Sequence, residues 1–168
     1  MTMLDKFLVI LAVAAFIQRE DGRILIVKKS KEEKVDGGLW TVPGGKVDPD
    51  EHIIAALKRE TKEECNLDIE SYGWLNEDVF ESGGKYFHGH HFICSVSNPE
   101  DVKLEKKLLE FQWVNGEELG AYEFHPNIRK ELEYILSDDS CCGDEGECAH
   151  GEEECCGGVG GEGCHCGK

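Results

Sequence analysis

The chain has 168 residues, with 18 Lys+Arg against 35 Asp+Glu, for a formal charge of −17. Such acidity argues against non-specific attraction to the phosphates of a nucleic acid polymer or to an anionic membrane surface. An acidic chain that handles phosphate therefore needs cations to do so.

The charge is unevenly spread. Nine acids and one Lys fall within residues 137–168, a net of −8, which leaves −9 for residues 1–136. Seven of the nine Cys and nine of the twenty Gly lie in the same last 32 residues, where only Ala149 and Val159 are otherwise apolar. That composition cannot bury enough surface to offset the entropy of ordering it, so a disordered tail is expected. The first 136 residues suit one compact domain with its own core.

In chain order, Phe7–Ile17 is an apolar run preceded by Lys6, with Ala12-Val13-Ala14 as a small-x-small site. These are features of a secretory signal, on a run too short to span a membrane. A buried strand is the favoured reading. The second half of the run is β-branched and aromatic, Asp21-Gly22 is a hairpin turn signal, and cleavage would remove the partner of the next strand. The expected pair is Leu8–Gln18 with Arg23–Lys29. The body cysteines Cys65 and Cys94 form no evident disulfide framework, which suits a cytoplasmic location.

A charged loop, Ser30–Gly38, leads to Leu39-Trp40-Thr41-Val42 and then Pro43-Gly44-Gly45. From Asp50 to Cys65 the pattern is helical, with Asp50 as expected N-cap and Asn66 as a left-handed stop. Strands are expected at Leu67–Glu70, Tyr72–Phe80, Lys85–Val96 and Leu108–Val114. Pro126 opens a closing helix that ends near Leu136. Several strands with one central and one terminal helix give a mixed sheet packed between helices, an α/β class.

Glu60, Glu63 and Glu64 fall at i, i+3 and i+4, so one helical turn presents three carboxylates side by side. They centre roughly 100° from the apolar group Ile54, Leu57 and Thr61, so the helix can pack on a sheet while its acids face sideways. A bare acidic run is ordinarily a solvated face. A hard cation such as Mg²⁺ or Mn²⁺ would resolve the repulsion with oxygen ligands.

The spacing decides between these readings. Gly45, five residues, Glu51, seven residues, Arg59-Glu60, Thr61, one residue, Glu63-Glu64, one residue, Asn66-Leu67 resembles the box of the Nudix hydrolases. Every charged position and the first Gly match. Thr61 stands where an aliphatic residue is usual and Asn66 replaces the second Gly, and neither occupies a ligand position. The segment before Gly45 is similar to the family's usual approach to the box.

The resemblance implies an α/β/α sandwich and hydrolysis of a nucleoside diphosphate linked to another group. It implies Glu60 and Glu64 as the main Mg²⁺ or Mn²⁺ ligands, with Glu63 as a further ligand or proton acceptor and the Gly45 carbonyl in the shell. Glu51 and Arg59 would form a structural ion pair. Glu110, before Phe111-Gln112-Trp113, matches a family position for an auxiliary ligand or base.

The body's size and its approach to the box are most similar to small members of the family, which implies a nucleotide partner, foremost a nucleoside triphosphate, oxidised purine forms included. ADP-ribose or a nucleotide sugar is the alternative substrate, and a non-catalytic nucleotide-binding module with a metal-sensing tail the alternative class. Trp40, Phe87 and Phe124 are candidate base-stacking residues. On the strand 85–96, Tyr86, His88 and His90 share one face while Phe87 and His91 take the other, which splits a three-His metal site. In the tail, Cys141, Cys142, Cys148, His150, Cys155, Cys156, Cys164, His165 and Cys166 are ligand types for Zn²⁺, Ni²⁺ or Cu⁺, without the paired spacing of a closed zinc domain. A solubilising appendage is the competing account of that segment, and oligomeric state is open.

Overall fold

Between Val13 and Ile17 every residue is apolar, so this strand has two faces to bury, and the fold supplies a cover for each. The protein is described from a computed structural model that covers residues 8–33 and 37–137. The chain divides into units Met1–Leu136 and Ser137–Lys168, and the fold is that of the first. The tail's Cys and His candidates lie outside the described residues.

The first strand, β1 (Val9–Ile17), lies at the centre of a mixed four-stranded sheet. It pairs antiparallel with β4 (Gly44–Lys46) and parallel with β6 (Lys85–Val96), which in turn pairs antiparallel with the edge strand β5 (Ile69–Ser82). A second, antiparallel sheet has β2 (Ile24–Lys29) between β3 (Trp40–Thr41) and β7 (Leu108–Val114). The expected single sheet is thus two, and the β1–β2 hairpin lasts only one bridge, Gln18 to Ile24. Beyond it the two strands diverge because each finds its partners elsewhere.

Alternation sorts the apolar side chains into two cores. Val13, Ala15 and Ile17, with Leu25 and Val27, meet Ala56 and Leu57 of helix α1 (Ile53–Cys65). Phe16, Ile24 and Ile26 meet Leu132, Ile128 and Ile135 of helix α2 (Pro126–Leu136). The result is the expected sandwich, a helix on either side of the sheets.

Helix α1 starts later than Asp50. His52 occupies the N-cap without a side-chain hydrogen bond, and Asp50 adopts a left-handed φ of 64°. The preceding turn explains this: the Glu51 amide donates to the Asp48 carbonyl, and the Asp48 amide donates to the Glu51 carboxylate. Asn66 ends the helix with φ 61°, its amide donating to the Lys62 carbonyl. The expected strands Leu67–Glu70 and Tyr72–Phe80 are one continuous strand with irregularities after Ile69 and Trp74.

The second irregularity changes which way the strand faces. Trp74 pairs with Phe92, but Asn76 pairs with His91, so Leu75 is an extra residue. A bulge of one residue reverses which face later side chains take. Asp78 and Phe80 therefore share a face with Gly89 and Phe87, opposite to Trp74.

Candidate active site

Glycine fixes how the β4 segment meets α1. A side chain at Gly45 would collide with the Glu60 carboxylate, and one at Gly44 with the Val13 carbonyl. Without them, the Gly44 amide donates to Glu64 Oε2 at 2.9 Å, and Glu60 lies directly over Gly45. Glu60 and Glu64 are both buried, at 8% and 4% exposure.

Burial pushes the Glu64 carboxyl up to about 7, against the Gly44 amide and the Lys107 ammonium, which favour its charged form; the neighbouring Glu60 adds to the rise. Lys107 Nζ stands 3.5 Å from Glu64 Oε1. Two buried neighbouring carboxylates form a hard-oxygen donor set, of the type that Mg²⁺ or Mn²⁺ prefers. Glu63, one position round the helix, is more exposed and outward, 3.4 Å from Arg59 Nη1.

Arg59 ties this helix to its loop. Its Nε and Nη2 donate to the two Glu51 oxygens at 2.8 Å each, its Nη1 to Glu60 Oε1 at 2.8 Å, and Nη2 also to the Lys46 carbonyl. Hydrogen bonds from Arg59 and from the Asp48 amide hold the Glu51 carboxyl down at about 2. This fork–fork geometry is the strong form of a carboxylate pair.

Glu60 and Glu64 face a cleft of about 630 Å³. Lys29, Lys107 and Lys46 also line it, so cations stand beside the carboxylates. The opposite wall carries Phe80 and Phe87, stacked with centroids 5.2 Å apart and planes at 8°. The same wall carries a chain of polar groups. Asn127 Nδ2 donates to Asp78 Oδ2 at 2.6 Å, Asp78 Oδ1 lies 3.4 Å from His91 Nε2, and His91 Nδ1 lies 2.6 Å from Glu131 Oε2. Gly89 leaves room for this: a Cβ there would come within 2.6 Å of Asp78 and 2.8 Å of His91. Burial lowers the His91 pKa, but hydrogen bonds and charge from Asp78 and Glu131 outweigh it and carry the ring up to about 9.

Of the residues singled out in the sequence, the structure brings Glu60, Glu64, Gly45 and Phe87 to this cleft. Glu110 is elsewhere: its carboxylate pairs with Lys28 at 3.0 Å across β2 and β7. Trp40 and Phe124 sit in the second core, with Trp40 edge-on to Tyr122 at 4.8 Å. Asp78, Phe80, Asn127 and Lys107 carry no local motif and were not foreseeable before the bulge and the α2 docking placed them.

The NUDIX domain family matches residues 9–135. The chain belongs to the Nudix family. A curated relative, nucleoside triphosphatase NudI of Escherichia coli, is 32% identical over 125 residues, covering 68% of this chain and 88% of that protein. Among solved structures, a MutT protein from Methanosarcina mazei is 31% identical with a TM-score of 0.66, covering 75% of this chain and 91% of the other. An Ap4A hydrolase from Caenorhabditis elegans is 26% identical with a TM-score of 0.62, covering 74% and 93%. This Nudix chain is a hydrolase of phosphoric anhydrides.

Proposed function

We propose that the protein hydrolyses nucleoside triphosphates to the monophosphate and pyrophosphate, using Mg²⁺ or Mn²⁺. The observation that carries this reading is the buried Glu60–Glu64 pair facing, across one nucleotide-sized cleft, a stacked Phe80–Phe87 wall. A polyphosphate and a base need these two surfaces at opposite ends of a pocket. The similarity to a nucleoside triphosphatase and to a MutT protein supports the same substrate class.

Glu60 and Glu64 would hold the ion with the Gly45 carbonyl beside them, and Glu63 would join by turning inward from Arg59. An ion held there would supply activation of the attacking water and neutralisation of charge on the phosphoryl oxygens. Lys29 and Lys107 add fixed positive charge to the phosphate end of the cleft, which offsets the body's net acidity locally. Arg59 keeps Glu60 aimed at Gly45 while it fastens Glu51. Phe87 and Phe80 hold the base, and Asn127 and Asp78 offer an amide and a carboxylate toward its edge. The catalytic unit is residues 1–136, the tail is a separate device, and two free, buried thiols, Cys65 and Cys94, support a cytoplasmic location. No helix among the described residues is long and apolar enough to cross a membrane.

The test is a panel of nucleoside triphosphates, oxidised purine nucleotides, ADP-ribose and dinucleoside polyphosphates, assayed with Mg²⁺ or Mn²⁺. Triphosphates should turn over fastest with release of pyrophosphate. Glu64→Gln should lower turnover to background while the melting temperature holds, and chelation of the metal should do the same. A preference for ADP-ribose would overturn the substrate assignment, and full activity of the Gln variant would overturn the ligand assignment.

A further inference from the structure

The face of β6 that points away from the cleft presents His88 and His90, and Glu77 of β5 pairs directly opposite His90. His88 Nε2 lies 2.9 Å from Glu77 Oε2, and the two imidazole rings are 4.4 Å apart between centroids. One ligand atom from each of the three residues lies within 4.8 Å of the other two. His90 Nδ1 is buried and has no hydrogen-bond partner. We propose that Glu77, His88 and His90 form a second metal site, for a divalent transition ion of the Zn²⁺ type, distinct from the carboxylate site on α1.

The donor chemistry selects the ion. Two imidazoles and one carboxylate suit Zn²⁺ and its neighbours, whereas Mg²⁺ takes oxygen alone. Ligands around a tetrahedral ion at about 2.1 Å stand roughly 3.4 Å apart, a contraction that side-chain rotation can supply because strand register already places the three together. Trp74 packs edge-on against His90 at 5.7 Å and shields one side of the set. Three protein ligands leave a fourth position for water.

The set differs from a three-His site. His91 is on the opposite face, engaged with Asp78 and Glu131, and the bulge at Leu75 supplies Glu77 in its place. An ion here would fasten β5 to β6 directly behind the wall that carries Asp78 and Phe80, stabilising the hairpin as any ligand specific to the folded state does.

The experiment is a Zn²⁺ titration of the full chain, read through the imidazole ring signals in ¹H–¹³C NMR, with Zn²⁺ carried beyond what the nine cysteines take up. His91 and His125 serve as internal references, and backbone amide signals report the fold. The His88 and His90 signals should respond together and saturate at one ion, while the references stay in place. Glu77→Gln, at an exposed position, should weaken that response at least tenfold, and in His88→Ala the His90 signal should cease to respond. Unmoved His88 and His90 signals would overturn the site, as would a response that persists unchanged in both variants.

Discussion

What sets Glu60 and Glu64 apart is their surroundings rather than their charge alone. One lies where a Cβ of Gly45 would be, and the other accepts the Gly44 amide. Three adjacent carboxylates on water-exposed helix would simply be solvated, but here burial raises Glu64 to about 7, so its charged form needs a cation nearby. A neighbouring residue shows the opposite case. Thr61 is fully buried on the packed face of the same helix, and its hydroxyl has no hydrogen-bond partner. Leaving a buried hydroxyl unsatisfied costs desolvation with no bond in exchange, whereas an isosteric methyl costs nothing. Thr61→Val should therefore stabilise the protein by about 1 kcal/mol, measured by chemical denaturation, with kcat unchanged. A loss of stability would mean that the hydroxyl is satisfied in solution.

Among the elements, α2 is held to the sheet by an apolar face and by one charged latch. His91 of β6 lies between Glu131 of α2 and Asp78 of β5, and Asn127 of α2 closes the circuit on Asp78. Its pKa is raised from 6.5 to about 9, so the imidazolium is the form the fold favours. A raised pKa contributes stability that is fully present below about pH 6.5 and is lost as pH rises through about 9. The stability advantage of the wild type over His91→Gln should thus shrink across that window, by an amount on the order of 2 kcal/mol. Denaturant titrations at several pH values measure it, and a gap that stays constant would show that the ring does not change charge there. The latch also fixes Asp78 at the cleft wall, so KM should rise over the same pH range while core packing by Phe16 and Leu132 is unaffected. None of this was readable in the strand pattern, because alternation along residues 72–80 fails at Leu75.

At the scale of the whole molecule, the charge of −17 separates into parts of different composition. In the body, Glu32, Glu33, Asp48, Glu60, Glu64 and Asp78 line the cleft against Lys29, Lys46 and Lys107, so the cleft keeps an acidic lining that a bound cation would offset. The tail's −8 accompanies seven of the nine cysteines, and ending the chain after Leu136 should leave hydrolysis unchanged within about twofold while reducing the Zn²⁺ or Cu⁺ taken up per chain. Metal analysis by mass spectrometry and a kinetic assay on the shortened chain check both, and unchanged metal content would leave the tail as a solubilising segment. The sequence by itself determined the carboxylate turn, its glycine approach, the left-handed stop at Asn66 and the two covering helices. These are local consequences of helical spacing, of the space an absent side chain leaves and of apolar periodicity. Only the tertiary structure decided that β1 and β2 part into two sheets, that Glu110 turns to Lys28, and that Trp40 and Phe124 serve the core. It alone also turned Asp78 and Phe80 toward the cleft and Glu77 toward two histidines, because one extra residue in β5 reverses every side chain beyond it, and the location of that residue depends on partners distant in the chain.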